Sequence, residues 1–420
     1  MAYLVREILG QLIARPSVNP RLVPAGDPST DDISGEKQVT EWLIDFLGRQ
    51  GWPWLTQEVH PGRSNVVAVV PGGRSDCLLW EAHQDTVAVA GMNAPFIARE
   101  SQGLIYGRGA CDVKGGLAAM LAALVAAGDA PLARRPTIVF ASTVNEECGF
   151  TGVRALARFW DERSGELAAT TIQGPLSLAE LRRFKPRAAI VAEPTDLNVV
   201  AAHRGVVRWQ ARTAGRAAHS SRPAGGANAI YAMARVVQAL EAMHDKLGRG
   251  FNATATGLAG ECGPPTICVT TIQGGAGPNT VPDAAVIDLD RRLAPGESPE
   301  TAYAGVVAEL ERAVDLGPCR LTHDPPWMQS YGLAGGESQR WAERLAAIVD
   351  ACGVASRIVG VPYGTNAATL AAAGIPAAVF GPGSIEQAHT IDEFIAVDQL
   401  DRAVEVLVAI ATGAAATPDH

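Results

Sequence analysis

The stretch CLLWEAHQD, residues 77–85, decides the fold class of this 420-residue chain. It is apolar as far as Trp80 and then ends in polar residues. Three other stretches share this character: SNVVAVVPG (64–72), TIVFAST (137–143) and AAIVAEP (188–194). Strands that are apolar almost throughout are typical of a sheet that helices cover on both faces. We therefore expect an α/β fold, with an α/β/α sandwich as its main domain.

The pattern of the chain changes after about residue 203. GVVRWQARTAG (205–215) alternates polar with apolar residues, and residues 226–247 have the period of an amphipathic helix. Two further strands follow, and then a helix with Ser298 as its N-cap. A β-α-β-β-α order predicts a smaller, inserted α+β domain of the split-βαβ, ferredoxin-like kind. The predicted domains are therefore 1–203 and 323–420, which form the main domain, and the insertion 204–322.

Charge and composition exclude several classes of protein. The formal net charge is −9, and the basic residues are scattered without a stripe, so we expect no nucleic acid and no anionic membrane as partner. The longest apolar run, LAAMLAALVAA from Leu117, has 11 residues, which is too short for a membrane span and predicts a buried helix. Charges interrupt the N-terminal segment, and the seven cysteines include no C-x-x-C pair. We expect a cytoplasmic protein.

Polar side chains stand where several predicted strands end. Ligands of open α/β sheets bind outside the carboxyl ends of the strands, so we expect these side chains to meet in one crevice. Each motif alone is more often an ordinary turn or surface feature, and only the joint pattern points to a site. The candidates are His83 and Asp85, Glu146 and Glu147, Glu193, His389, and Asp112 of the glycine-rich loop GRGACDVKGG (107–116).

The residue types at these strand ends predict a metal site. Two imidazoles and several carboxylates without a thiolate suit catalytic zinc, which typically takes three protein ligands. Because more carboxylates are present than one ion needs, two ions bridged by a carboxylate are favoured. One of Glu146 and Glu147 could then bind metal while the other accepts a proton from the attacking water. We expect the Asp85 carboxylate to accept the second ring N–H of His83.

The motifs resemble those of the zinc-dependent amidohydrolases and peptidases that include acetylornithine deacetylase, succinyl-diaminopimelate desuccinylase, aminoacylase and glutamate carboxypeptidase. The resemblance covers residues 82–393. The stretches that carry it are AHQDTV, GRGACDVKGG, NEECG, VAEPTD, AHSSRP, GPNTVPDA, DLDRRLAPG, YGTNAATL and GPGSIEQAHTIDE.

The resemblance implies a role for each matching residue. Glu146 is the expected general base, Asp85 orients a ligand, and His219 is similar to a histidine that reaches the partner subunit's site to stabilise the oxyanion. The expected metal ligands are His83, Asp112 as the bridge, Glu147, Glu193 and His389. The expected substrate contacts are Arg292, which would bind the substrate carboxylate, with Asn279, Gly364, Thr365 and Asn366.

The resemblance also implies the reaction, the cofactor and the assembly. We expect metal-dependent hydrolysis of an N-acyl-L-amino acid, as in acetylornithine deacetylase, with two zinc ions per subunit and cobalt or manganese as substitutes. A homodimer formed through the inserted domain, which opens and closes as a lid, is expected. The alternatives are a desuccinylase, a dipeptidase or carboxypeptidase, and a mononuclear enzyme. A non-catalytic binding protein is disfavoured because no expected ligand is missing.

Some questions stay open at this point. Arg291 is a rival of Arg292 for the substrate carboxylate. Asn366 stands where some relatives carry an acid or serine, so specificity there is undecided. We assign no function to the insertions near 161–181 and 248–265. The C-terminal tail is expected to be frayed.

Overall fold

The computed structural model of the chain describes residues 2–23, 32–89, 91–160, 171–252 and 257–414. Residues 161–170 and 253–256 of the two insertions, and the tail from 415, lie outside this description. The chain forms two compact units. The first comprises Met1–Ala201, Gly335–Val359 and Thr365–His420, and the second comprises Ala202–Ala334 and Gly360–Gly364.

The second unit ends later than the predicted boundary at 322/323. The reason is strand pairing: Met328–Ser330 pairs with Val206–Arg208 inside the second unit. The sequence pattern could not show this, because a three-residue strand carries too little periodicity to be assigned.

The helices begin and end as follows: α1 (Ala2–Ile13), α2 (Lys37–Arg49), α3 (Lys114–Ala126), α4 (Glu146–Gly149), α5 (Thr151–Ala157), α6 (Leu178–Leu181), α7 (Ala229–Asn252), α8 (Gly257–Glu261), α9 (Pro299–Ala313), α10 (Glu337–Ala351), α11 (Ala367–Ala372) and α12 (Val397–Ala411).

The strands are β1 (Trp54–His60), β2 (Arg63–Val70), β3 (Cys77–His83), β4 (Arg99–Ser101), β5 (Leu104–Tyr106), β6 (Thr137–Thr143), β7 (Ile172–Gln173), β8 (Ala188–Val191), β9 (Val199–His203), β10 (Gly205–Ala214), β11 (Ala218–His219), β12 (Thr266–Gly274), β13 (Thr280–Val281), β14 (Ala284–Leu293), β15 (Arg320–His323), β16 (Met328–Ser330), β17 (Ile358–Val361), β18 (Ala377–Val379) and β19 (Phe394–Ala396).

A nine-stranded mixed sheet organises the first unit, in the order β17-β9-β18-β8-β3-β6-β2-β1-β7. Strands β18, β8, β3 and β6 are parallel, and antiparallel strands flank them. Every residue of β3 and β6 is buried, so both faces of the sheet are covered, as their apolar sequences predict. One helix group comprises α1, α3, α10 and α12, and another comprises α5 and α11. The parallel centre brings the carboxyl ends of β3, β6 and β8 to one edge.

The second unit has a smaller antiparallel sheet in the order β12-β14-β10-β15, and β16 also pairs with β10. Helix α7 packs against β10, β12 and β14, and α9 packs against β10. Alternate residues of β14 are buried, which identifies one covered face, with Ile287 and Leu289 in its core. The Ser298 side chain accepts the Thr301 N–H and so caps α9 as predicted. The α+β architecture is clear, and its ferredoxin-like character stays a prediction.

Helix α3 confirms that the alanine-rich apolar run is a buried helix, since Lys114–Leu124 are all buried. Among the described residues, no helix has both the length and the apolar character needed to cross a bilayer.

Candidate active site

His83 and Asp112 form the centre of a compact group of ligating side chains. His83 is the last residue of β3, and Asp112 lies in the loop between β5 and α3. His83 Nε2 is 3.1 Å from Asp112 Oδ1. Together with Glu147, these residues offer ligand atoms that all lie within 4.8 Å of one another. All three belong to the predicted ligand set.

His389 joins this group from the loop before β19. Its Nε2 lies 3.3 Å from Asp112 Oδ2 and 3.2 Å from Glu147 Oε2. The two oxygens of Asp112 therefore face different histidines, which is the disposition a bridging carboxylate needs. Glu193, beyond the end of β8, is buried; burial raises its pKa well above the usual range, and the charges of Asp112 and Glu146 raise it further. All five predicted ligands thus lie in one region of the first unit.

Glu146 and Glu147 belong to a helical turn and not to a strand. Asn145 has φ 61°, in the left-handed region, and this turns the chain from β6 into α4, which begins at Glu146. The adjacent glutamates therefore do not point to opposite faces of a sheet. Instead, their backbone N–H groups both donate to the Asp85 carboxylate, at 3.0 Å from Glu146 and 3.2 Å from Glu147.

The partner of His83 Nδ1 differs from the expectation. The ring nitrogen lies 2.9 Å from the backbone carbonyl oxygen of Asp85, whereas the Asp85 carboxylate oxygen Oδ1 is 3.6 Å away, too far for a hydrogen bond. Because a carbonyl can only accept, Nδ1 must carry the proton. Nε2, on the Asp112 side, is then the ring atom that can bind a cation. Asp85 still orients His83, but through its backbone.

Electrostatics in the group reflect a concentration of buried carboxyls. Burial raises the pKa of Glu146 well above its usual range, and the charges of Glu147 and Asp112 raise it further. Burial and the Asp112 charge raise the pKa of Glu147 to about 7. Hydrogen bonds to Asp112 and Glu147 raise the pKa of His389 to about 10. Burial lowers the pKa of His83, but its contact with Asp112 and the surrounding carboxylates outweigh this, so that the pKa rises.

The donor set fits a divalent cation. Glu147 Oε1 is buried with no hydrogen-bond partner, which is costly unless a further group binds it. Imidazoles and carboxylates suit zinc and similar ions. The neighbouring thiol of Cys111 donates to the Ser384 carbonyl oxygen at 3.2 Å, and burial raises its pKa, so it is a packing residue and not a thiolate ligand.

Several buried residues that support this group were not predicted from the sequence. Glu36 accepts two hydrogen bonds from Arg63, at 2.5 and 2.6 Å, and the backbone N–H of Asn145 at 3.1 Å. Asn19 donates to Asp85 at 2.7 Å and to Asn145 at 2.9 Å. Isolated polar residues before the main sheet carry no spacing signal that could have identified them.

The predicted substrate contacts in the first unit point inward. Thr365 and Asn366 are buried, with exposed fractions of 0% and 1%. Asn366 Nδ2 donates to Glu81 Oε1 at 2.9 Å and to Thr143 Oγ1 at 3.2 Å. Asn366 therefore supports the end of β3 and β6 through a buried carboxyl, Glu81, which the sequence analysis did not single out.

The remaining predicted site residues belong to the second unit. His219, on the short strand β11, is exposed, and its Nδ1 accepts the backbone N–H of Ser221 at 3.2 Å, so Nε2 carries the ring proton. Asn279 is also exposed, and its backbone carbonyl oxygen accepts the Ser220 N–H, whereas Gly364 lies in the short 360–364 segment. The roles expected for these three residues stay predictions.

Arg291 and Arg292, the two candidates for binding the substrate carboxylate, lie on opposite faces of strand β14. Arg291 lies on the buried, helix-covered face with an exposed fraction of 3%, and it pairs with Glu297 at 2.8 Å. Arg292 is on the opposite face, because successive side chains alternate. Its Nε donates to Asp290 at 2.7 Å. Only Arg292 presents a guanidinium on the less buried face of this strand.

A family model and individual relatives both match the chain. The model of peptidase family M20/M25/M40 matches residues 79–413. The chain belongs to this family. The M20/M25/M40 relatives include an acetylornithine deacetylase of Vibrio campbellii, 30% identical over 395 residues that cover 92% of this chain and 93% of that protein. The resemblance to metal-dependent amidohydrolases and peptidases is confirmed.

Solved structures of M20 proteins share the fold. A metallo-carboxypeptidase of the M20 family from Sulfolobus solfataricus has a TM-score of 0.73 at 16% identity, covering 97% of this chain and 98% of that one. A dinuclear metal-binding M20 peptidase from Bacillus subtilis has a TM-score of 0.65 at 15% identity, covering 99% of each chain. As an M20/M25/M40 member, this chain is a metal-dependent hydrolase of amide bonds.

Proposed function

We propose that the protein hydrolyses the amide bond of an N-acyl-L-amino acid with a short acyl group, as an acetylornithine deacetylase-like deacylase. The observation that carries this is the buried Glu146 carboxyl beside the group of His83, Asp112 and Glu147. The 30% identity to acetylornithine deacetylase favours the acyl amino acid over the peptide substrates. The second candidate is a dipeptidase or carboxypeptidase, because the similar M20 structures include peptidases. Among the deacylases, a succinyl-diaminopimelate desuccinylase is the main alternative to the acetylornithine deacetylase-like activity.

The proposed cofactor is a pair of zinc ions, which His83, Asp112, Glu147, Glu193 and His389 would hold. A bound divalent cation polarises the substrate carbonyl and lowers the pKa of a water molecule towards about 7. Asp112 suits the bridge because each of its oxygens faces a different histidine.

Glu146 is the proposed general base. Its buried carboxylate removes the proton of the attacking water and then delivers this proton to the leaving amine. A pKa raised by burial suits this shuttle, because a carboxyl with an ordinary pKa would hold the proton too weakly. The Asp85 carboxylate holds the backbone of the Glu146 turn in place during both transfers.

Residues of the second unit have proposed roles in binding. The Nε2–H of His219 is proposed to donate to the oxyanion that forms at the carbonyl in the partner subunit's site, because Nδ1 is already an acceptor. Arg292 is the proposed partner of the substrate carboxylate, which a guanidinium can bind through two parallel hydrogen bonds. Asn279 and Gly364 are proposed to contact the same substrate.

We further propose a homodimer formed through the second unit. Strand β12 lies at the edge of its sheet, and Thr270–Gly274 are exposed. Ile272 is 59% exposed and Tyr231, near the start of α7, is 67% exposed. An exposed edge strand with apolar neighbours favours pairing with a second copy. Analytical ultracentrifugation of the wild type and of Ile272→Lys tests this, and a monomeric wild type would contradict it.

A substrate survey tests the proposed function. The zinc-loaded protein is incubated with N-acetylornithine, N-succinyl-diaminopimelate, other N-acyl amino acids and dipeptides, and release of free amine is followed by mass spectrometry. We expect release from the acyl amino acids that depends on metal. Preference for dipeptides would replace the deacylase with the peptidase, and turnover of none of these compounds would overturn both.

A further inference from the structure

Arg108 and Glu393 form a buried ion pair that the proposed mechanism does not use. Their exposed fractions are 2% and 1%, and Arg108 Nη1 lies 2.6 Å from Glu393 Oε2. Arg108 lies in the loop that carries Asp112, and Glu393 follows His389 by four positions. The pair therefore connects the two segments that deliver two of the proposed ligands.

The Glu393 carboxylate accepts hydrogen bonds from three backbone N–H groups of the Asp112 loop. Oε2 accepts the N–H of Gly109 at 2.9 Å, and Oε1 accepts the N–H of Cys111 at 2.8 Å and that of Asp112 itself at 3.0 Å. With Arg108, four donors converge on one side chain. Buried N–H groups without an acceptor are costly, so this carboxylate determines which conformation the loop can keep.

Arg108 also contacts the segment that carries His389. Its Nη2 donates to the backbone carbonyl oxygens of Thr390, at 3.2 Å, and Ala88, at 2.9 Å. Thr390 directly follows His389, whose Nε2 is 3.3 Å from Asp112 Oδ2. The contacts therefore close a ring that runs from Asp112 through Glu393 and Arg108 to the His389 segment and back to Asp112.

We propose that Glu393 is a positioning residue for the cation site: with Arg108, it holds the Asp112 loop against the His389 segment and so determines how tightly the cation is bound. Groups that orient metal ligands typically change metal affinity or activity by 10–100-fold when they are removed. This inference rests on the proposed cation site and not on the identity of the substrate.

A carboxylate is required at this position because of its acceptor geometry. Both oxygens of Glu393 accept, whereas an amide would keep one acceptor oxygen and turn its N–H₂ group towards two donors. Glu393→Gln therefore preserves size but breaks half of the contacts. Glu297→Gln is a matched control, because Glu297 also accepts from a buried arginine, Arg291, and from a backbone N–H, that of Ala294, but within the second unit.

The test compares zinc affinity, measured by competition with a chromophoric chelator, in the wild type, Glu393→Gln and Glu297→Gln. We expect Glu393→Gln to bind zinc roughly 10–100-fold more weakly, with kcat recovering at high zinc and KM nearly unchanged. The control should keep the wild-type zinc affinity. Wild-type zinc affinity in Glu393→Gln, or an equal loss in both variants, would overturn the proposal.

A second variant covers the case in which Glu393→Gln does not fold. Arg108→Lys keeps the charge beside Glu393 but loses the fork that reaches Thr390, and we expect zinc affinity to fall by roughly tenfold. Unchanged affinity in this variant would overturn the coupling to the His389 segment. Because the readout is zinc affinity, a wild type that binds zinc but releases no amine from any tested substrate would contradict the proposed function alone.

Discussion

The Asp85 carboxylate accepts the backbone N–H of Glu146 at 3.0 Å, and the same carboxylate accepts that of Glu147. Asp85 thus holds the backbone of the turn that carries Glu146 and Glu147. The two N–H groups offset the charge of Asp85, whereas His83 and His389 partly offset the repulsion between the adjacent glutamates. Asp85 consequently affects the proposed general base and a proposed metal ligand through their main chain.

Replacing Asp85 with Asn should therefore impair the Glu146–Glu147 turn and leave His83 oriented. We expect activity to fall by roughly 10–100-fold, because the amide cannot accept both N–H groups in the same way. The Nδ1 proton of His83 should keep its hydrogen-bonded NMR signal, since its partner is the backbone carbonyl of residue 85. Loss of that signal in Asp85→Asn would show that the carboxylate orients the ring after all.

Replacing Glu146 with Gln should separate chemistry from metal binding. Loss of a general base typically costs roughly 10²–10⁴ in rate, and we expect kcat to fall within this range with zinc content unchanged. Metal analysis and steady-state kinetics measure both quantities. Glu343→Gln, on an exposed position of α10, serves as the control and should behave as the wild type. Near-normal turnover in Glu146→Gln would contradict the assignment of the base.

Replacing each of the two arginines of β14 should change a different property of the protein. We expect Arg292→Ala to raise KM by roughly 10–100-fold, since a hydrogen bond to a charged group contributes about 1.5–3 kcal/mol. Arg291→Ala should instead lower the melting temperature with little change in KM, because it removes the buried partner of Glu297. Kinetics and thermal unfolding of both variants check this. The reverse assignment of effects would transfer the carboxylate-binding role to Arg291.

Glu81 should make stability depend on pH. Burial raises its pKa to about 7 from the ordinary 4.5, although Thr143 and Asn366 donate to it. A raised pKa favours the neutral acid, so this contribution to stability is complete below about pH 4.5 and is lost as pH rises through about 7. The difference corresponds to roughly 3 kcal/mol.

Glu81→Gln cannot ionise and should therefore gain stability relative to the wild type between pH 5 and pH 8. Urea unfolding of both proteins at several pH values within this range, at equal metal loading, measures the change. A difference between variant and wild type that stays constant over this range would show that Glu81 does not titrate there.

The sequence predicts those parts of the site that follow from strand ends. His83, Glu146 and Glu193 each stand beyond an apolar run, and parallel pairing at the centre of a sheet necessarily collects such positions at one edge. The length of the apolar runs also predicts a sheet covered on both faces. These features depend on where apolar runs begin and end along the chain, which a single sequence shows.

The contacts that the sequence could not predict depend on the positions of individual atoms. Whether His83 contacts the carbonyl or the carboxylate of Asp85 is determined by backbone torsions, and the left-handed conformation of Asn145 has no pattern in the neighbouring residues. The pairing of Arg108 with Glu393 joins positions 285 residues apart along the chain. Nothing in the composition near either residue indicates such a contact.

The position of β18 in the large sheet has a consequence for how the chain folds during synthesis. Strand β18, made of Ala377–Val379, lies between β8 and β9, which leave the ribosome about 180 residues earlier. Until β18 is translated, β9 cannot pair with it, and the edge of β8 that β18 will occupy stays open. Pairing across such sequence distances is slow, and unpaired edges aggregate readily. Nascent chains stalled before residue 377 should therefore bind chaperones more strongly than chains stalled after β18 has emerged.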